Sequence, residues 1–190
     1  DKATETLITI LRLDPLNHFA RFEKYLLEPN NENKTHFLSL IRNEMPAEIF
    51  LELGIWYYDL GCRDEALKLF GLAPANAEIS LWIAYLKHNP VDFSALDPVR
   101  SFPFRSETAS LLENYLTSSD HWFLKYQLAL IYKDRNRVAE AKELLASCGD
   151  QSSFAPFYAV RASLFAQEDS TRVLHDLQRA VLLDPQWRYE

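Results

Sequence analysis

Two pairs of carboxylates stand close in this sequence: Glu48 with Glu52, one helical turn apart, and Asp59 with Asp64 on either side of Gly61. Two acids flanking a sugar ring are the machinery of glycoside hydrolysis, one protonating the leaving oxygen and the other acting as base or nucleophile. Solvated helix faces carry acids at the same spacing, and that is the reading taken here. The histidines His18, His36, His88, His121 and His175 share no short ligand spacing with each other or with a cysteine or carboxylate cluster, so no metal site is expected. Cys62 and Cys148 read as independent thiols rather than a disulfide or a ligand pair. Neither a Gly-rich phosphate loop nor a Gly-x-Ser-x-Gly elbow is present. No catalytic residue and no cofactor is nominated.

The composition narrows the classes further. Only 4 Gly stand against 12 Phe, 9 Tyr and 4 Trp, a balance that suits long helices packed through aromatic knobs and points to an all-α chain. The formal net charge is -7 and Lys and Arg form no run, so nucleic acid is excluded as an expected partner. No apolar run approaches the ~20 residues that a membrane span requires, so no membrane insertion is expected. The chain starts at Asp1 without Met, within an expected helix and without a signal pattern, as an excised piece of a longer protein would. Its compartment is left unassigned.

The elements that must position any site follow from a repeat. LRLDPLN at Leu11 to Asn17 and VLLDPQW at Val181 to Trp187 are near-copies, and Pro15 and Pro185 lie 170 residues apart, five times a 34-residue unit. In each, Pro ends a helix because it cannot continue the hydrogen-bond ladder and disfavours helix just before it. Between Ala47 and Asn76, Phe50, Leu53, Gly54 and Tyr57 share one helix, Gly61 makes a turn, and Ala66, Phe70 and Ala73 share the next. This small-and-large spacing is that of a tetratricopeptide unit. One such unit cannot bury its apolar faces alone, so a right-handed α-α superhelix is expected over the whole chain, read as a single domain 1–190.

The units expected are a leading half-repeat at Lys2 to Leu13 and five helix pairs. The first pair spans Asn17 to Glu28 and Lys34 to Asn43, separated by the polar breaker Pro29 to Asn33. The second spans Ala47 to Leu60 and Arg63 to Leu72. The third, Ala77 to His88 and Ser106 to Thr117, is interrupted by a Pro-rich break at Asn89 to Arg105. The fourth spans His121 to Asp134 and Arg137 to Ser147, with Asn136 in place of the turn glycine as the next-best residue at positive φ. The fifth spans Ala155 to Gln167 and Ser170 to Leu183. Its Arg161 occupies a small-residue slot, so it is either exposed by a shifted register or paired with an acid.

Beyond the generic repeat, the strings LDPLNHFARFEKYLL, ELGIWYYDLG, APANAEISLWIAYL, HWFLKYQLALIYKD and DLQRAVLLDPQWR are spread along nearly the whole chain. They resemble the C-terminal tetratricopeptide region of large proteins, many from gut Bacteroidetes, whose upstream part is a β-rich domain of unknown function with a carbohydrate-enzyme flavour. The resemblance implies an accessory region and transfers no catalytic residue.

Function then rests on surfaces. In such a superhelix the first helix of each pair lines a groove, here with Leu51, Ile55 and Tyr58, then Leu81 and Tyr85, then Phe123 and Tyr126, then Tyr158. This apolar lining rejects the carboxylate-clamp type of groove, which uses Lys and Asn where Leu51 and Ile55 stand. It suits a protein or peptide partner, or the upstream domain of the same chain. Phe102, Phe104 and Arg105 in the Pro-rich break are a second candidate, because long connections are often functional. The reading is a non-catalytic scaffold for protein or intramolecular contacts; the alternative is an α/α-toroid enzyme acting on glycans.

Overall fold

The computed structural model describes residues 2–42 and 44–186, and among them it holds eleven α-helices, a single 3-10 turn and no strand. The chain divides at Asn89 and Pro90 into two compact units, each taken by itself.

The first unit holds α1 (Lys2–Leu13), α2 (His18–Leu27), α3 (Asn31–Ser39), α4 (Pro46–Asp59), α5 (Arg63–Phe70) and α6 (Ala77–Lys87). Local chemistry sets the starts. Side-chain oxygens of Asn17, Asn30 and Asn76 accept from the Ala20, Asn33 and Glu78 amides at 2.9, 2.8 and 2.9 Å, and Pro46 opens α4 where its missing N–H costs nothing. The Asn30 cap corrects the expected breaker: the run at 29–33 starts α3 three residues early. Asn33 is itself buried, donating from Nδ2 to the Glu28 carbonyl at 3.0 Å. The far end of the expected helix, Asn43, lies outside the described residues.

Helices α2 with α3 and α4 with α5 pack as hairpins, α1 packs on α2, and α5 packs on α6. A close crossing lies inside the second hairpin. A Cβ added at Gly54 would overlap the Phe70 ring, so glycine there lets α5 seat its aromatic against the α4 backbone. Rings carry the core onward, with Phe22 5.3 Å from Phe37 and 5.6 Å from Tyr57, Phe37 6.0 Å from Phe50, and Phe70 stacked on Trp82 at 6.5 Å.

The second unit holds the 3-10 turn Phe93–Ala95 and then α7 (Ser106–Leu116), α8 (Trp122–Asp134), α9 (Val138–Ser147), α10 (Ala155–Phe165) and α11 (Ser170–Leu183). Here α8 pairs with α9 and α10 with α11, while α7 packs on α8 and α9 on α10. The α8–α9 turn repeats the α4–α5 turn. Gly61 at φ 78° and Asn136 at φ 61° each precede a residue whose amide reaches back to a tyrosine carbonyl, Cys62 to Tyr57 and Arg137 to Tyr132, both at 2.8 Å. The helices expected as the third pair fall in different units, with α6 against α5 and α7 against α8.

Candidate functional site

Six of the eight expected groove residues are core. Leu51, Ile55, Leu81, Phe123, Tyr126 and Tyr158 are all buried, which corrects their reading as an open lining. The reason is packing between consecutive hairpins. Tyr126 sits 5.9 Å from Phe154 and 5.8 Å from Phe157, and burial pushes its phenol up to about 12. Tyr158 lies 5.1 Å from Phe157 and donates its hydroxyl to the Ser152 carbonyl at 2.9 Å. Tyr58 and Tyr85 remain half-exposed as a pair, their hydroxyls 3.4 Å apart, with the Tyr58 ring 5.2 Å from Trp82. The hydrogen bond to Tyr85 and partial burial raise the Tyr58 pKa.

The loop candidates behave differently. Residues 101–105 form no regular element, with Ser101 and Pro103 buried and Phe102 and Phe104 facing out, 59% and 51% exposed. Ser101 Oγ donates to Gln127 Oε1 on α8 at 2.8 Å, and Arg135 donates to the Phe104 carbonyl at 3.1 Å. The segment is therefore fastened at both ends. Arg105 lies over the Phe104 ring at 4.3 Å and stiffens it from one side. Arg100, at φ 64°, turns the chain into this run, a left-handed conformation costing a non-glycine residue roughly 1 kcal/mol or more. Two phenylalanines thus stand in solvent on a strip held by its buried neighbours.

Of the acids, Glu52, Asp59 and Asp64 are exposed and Glu48 half-exposed, as on ordinary helix faces. Cys62 and Cys148 are both free, and burial pushes the Cys148 thiol up to about 11, well into its unreactive form. Arg161 is buried and paired with an acid, the second of the two outcomes its position allowed. It donates from Nε and Nη2 to Asp176 at 2.8 and 2.6 Å, and from Nη1 to the Leu145 carbonyl at 3.3 Å and to that of Gly149. Beside it an open cleft of about 540 Å³ is lined by Asp150, Asp169, Arg172 and His175 among others. Asp150 and Asp176 carry no sequence signal, because their meeting with Arg161 depends on how three helices close.

One surface escaped the sequence reading altogether. Leu174, Leu177 and Val181 on α11 are 59%, 37% and 50% exposed, although Leu177 has the spacing of a core residue. The signal was present, since the LRLDP and VLLDP endings set α1 and α11 in the same register. Among the described residues no helix is long and apolar enough to cross a membrane.

Consecutive helical hairpins, small-to-large crossings and repeated Gly or Asn turns make this an all-α helical-repeat protein of the tetratricopeptide-like kind. The chain is similar to a solved structure described as the crystal structure of YrrB, "a TPR protein with an unusual peptide-binding site", at 14% identity over 95% of this chain and 93% of that one, with a TM-score of 0.39. No family model matches the chain, and no curated protein matches it.

Proposed function

We propose that the chain is a non-catalytic scaffold, an accessory region that holds a protein partner, and that this partner is a β-rich domain upstream in the same parent protein. The observation that carries the reading is the outward display of Phe102 and Phe104 on a segment fastened at Ser101, Pro103 and the Phe104 carbonyl. Exposed aromatics on a rigid strip bind well because little side-chain freedom is lost when they are covered. Arg105, half-exposed beside them, lends the patch a polar rim.

Titration calorimetry of this chain against the upstream domain supplied in trans tests the proposal. Phe102→Ser combined with Phe104→Ser should leave folding intact and weaken association by about 2 kcal/mol or more, the cost of losing interface hot spots. Equal affinities for both chains would remove this strip as the contact. No association at all would remove the upstream domain as the partner.

A further inference from the structure

We infer that the exposed face of α11 is an acceptor for an amphipathic helix with the chemistry of α2, docked as α2 docks on α1. This goes beyond the Phe102 and Phe104 strip and rests on a different surface. The argument is one of register and of a continued interface. Four times within the two units, a helix that closes one repeat packs on the helix that opens the next: α1 on α2, α5 on α6, α7 on α8, and α9 on α10. Helix α11 occupies the same place in the series, and no further helix is among the described residues after it.

The internal repeat says what such a face accepts. Counting 170 residues back, Leu174, Leu177 and Val181 correspond to Thr4, Leu7 and Leu11 of α1. Those three are half-buried, and the helix that α1 packs on is α2. The α11 counterparts are all apolar, yet they lie open beside a shallow recess of about 540 Å³ formed with Gln178, Leu182 and Pro185. An apolar stripe at i, i+3 and i+7 presents one side of a helix, and the complement to such a stripe is another helix crossing it with its own apolar residues. Helix α2, which carries apolar residues on one face and polar ones on the other and packs on α1, is such a helix.

The probe is a fluorescently labelled peptide of residues 16–28, LNHFARFEKYLLE, titrated by anisotropy with the full chain. Saturable binding is expected, and Leu177→Asp or Val181→Asp should weaken it at least tenfold. Leu174→Asp serves as a third variant should either of these fail to fold, and circular dichroism checks each. The Phe102→Ser and Phe104→Ser chain should bind the peptide as wild type does, which separates this inference from the proposed function. Absence of binding, equal binding of a scrambled peptide, or affinity unchanged by the α11 variants would overturn it. So would a dimer in sedimentation that Leu177→Asp dissolves and the peptide does not displace, because the face would then belong to a second copy.

Discussion

The guanidinium of Arg161 on α10 meets the fully buried carboxylate of Asp176 on α11 through two hydrogen bonds, 2.8 and 2.6 Å long. Burial opposes the charge of Arg161, but the hydrogen bonds and charge of Asp176 outweigh it and hold the pKa above its ordinary value. The same guanidinium reaches the Leu145 and Gly149 carbonyls at the end of α9 and lies 5.1 Å from the Phe157 ring. One side chain therefore ties the last hairpin to the one before it.

Removing one member should strand the other. Asp176→Ala is expected to cost about 3–5 kcal/mol, the penalty for leaving a buried charge uncompensated. Arg161→Lys should also destabilise, since an ammonium cannot reproduce the forked contact. Urea denaturation of the variants measures both, and an unchanged midpoint for Asp176→Ala would show that the pair is dispensable.

The other buried arginine makes the opposite prediction. Arg21 is 1% exposed, yet its Nε and Nη1 have no hydrogen-bond partner among the described residues, and its Nη2 reaches only His18 at 2.6 Å and the Phe37 carbonyl at 3.5 Å. Arg21→Met keeps the volume and removes a poorly compensated charge, so stability should be unchanged or raised. A fall in the urea midpoint as large as that of Asp176→Ala would contradict this.

His18 gives the first unit a pH dependence. Burial, then the neighbouring Arg21 charge, lowers its pKa below 6.5, because protonation would both bury a charge and remove the Nδ1 acceptor. With the folded value below the unfolded one, its contribution is complete above 6.5 and is lost as pH falls through the folded value. Thermal midpoints should drop between about pH 8 and about pH 5.5. His18→Gln should flatten that slope, leaving a remainder from His121, which burial shifts in the same direction.

The α4–α5 crossing admits no larger residue. Ala66 is fully buried, and Ala66→Leu should cost roughly 1–3 kcal/mol through overpacking. Gly54→Ala should cost a similar amount, about 1–3 kcal/mol, because the new methyl meets the Phe70 ring in a packed interior. Glu48→Leu, on a half-exposed surface, should be nearly neutral. Chemical denaturation of the three variants would show whether the crossing is as close as the structure makes it.

Tyr126→Ala with Tyr158→Ala distinguishes core from surface. Both side chains are buried, so the double variant should lose well over 3 kcal/mol or fail to fold, in contrast to the soluble behaviour of a groove variant. A double variant that melts like wild type would return these tyrosines to the list of contact residues.

What the sequence determined by itself was the helical architecture, because caps, turns and periodicity are local. Asn17 and Asn76, Gly61 and Asn136, and the prolines at 15 and 46 act on their own neighbours, so the helices they bound fall within a few residues of where spacing puts them. Asn30 shows the limit: composition alone reads 29–33 as a breaker, whereas one side chain accepting from the Asn33 amide makes it a start. The tertiary structure alone decided which apolar residues are surface. Tyr126 and Phe104 look alike in the sequence, but one is enclosed by rings from the next hairpin while the other is held outward by the burial of Pro103 and the grip of Arg135. Exposure depends on what covers a residue, and the covering groups lie far along the chain. For the same reason Arg161 could be named as anomalous but Asp176, its counter-charge, could not: only the closing of α10 on α11 brings the two together.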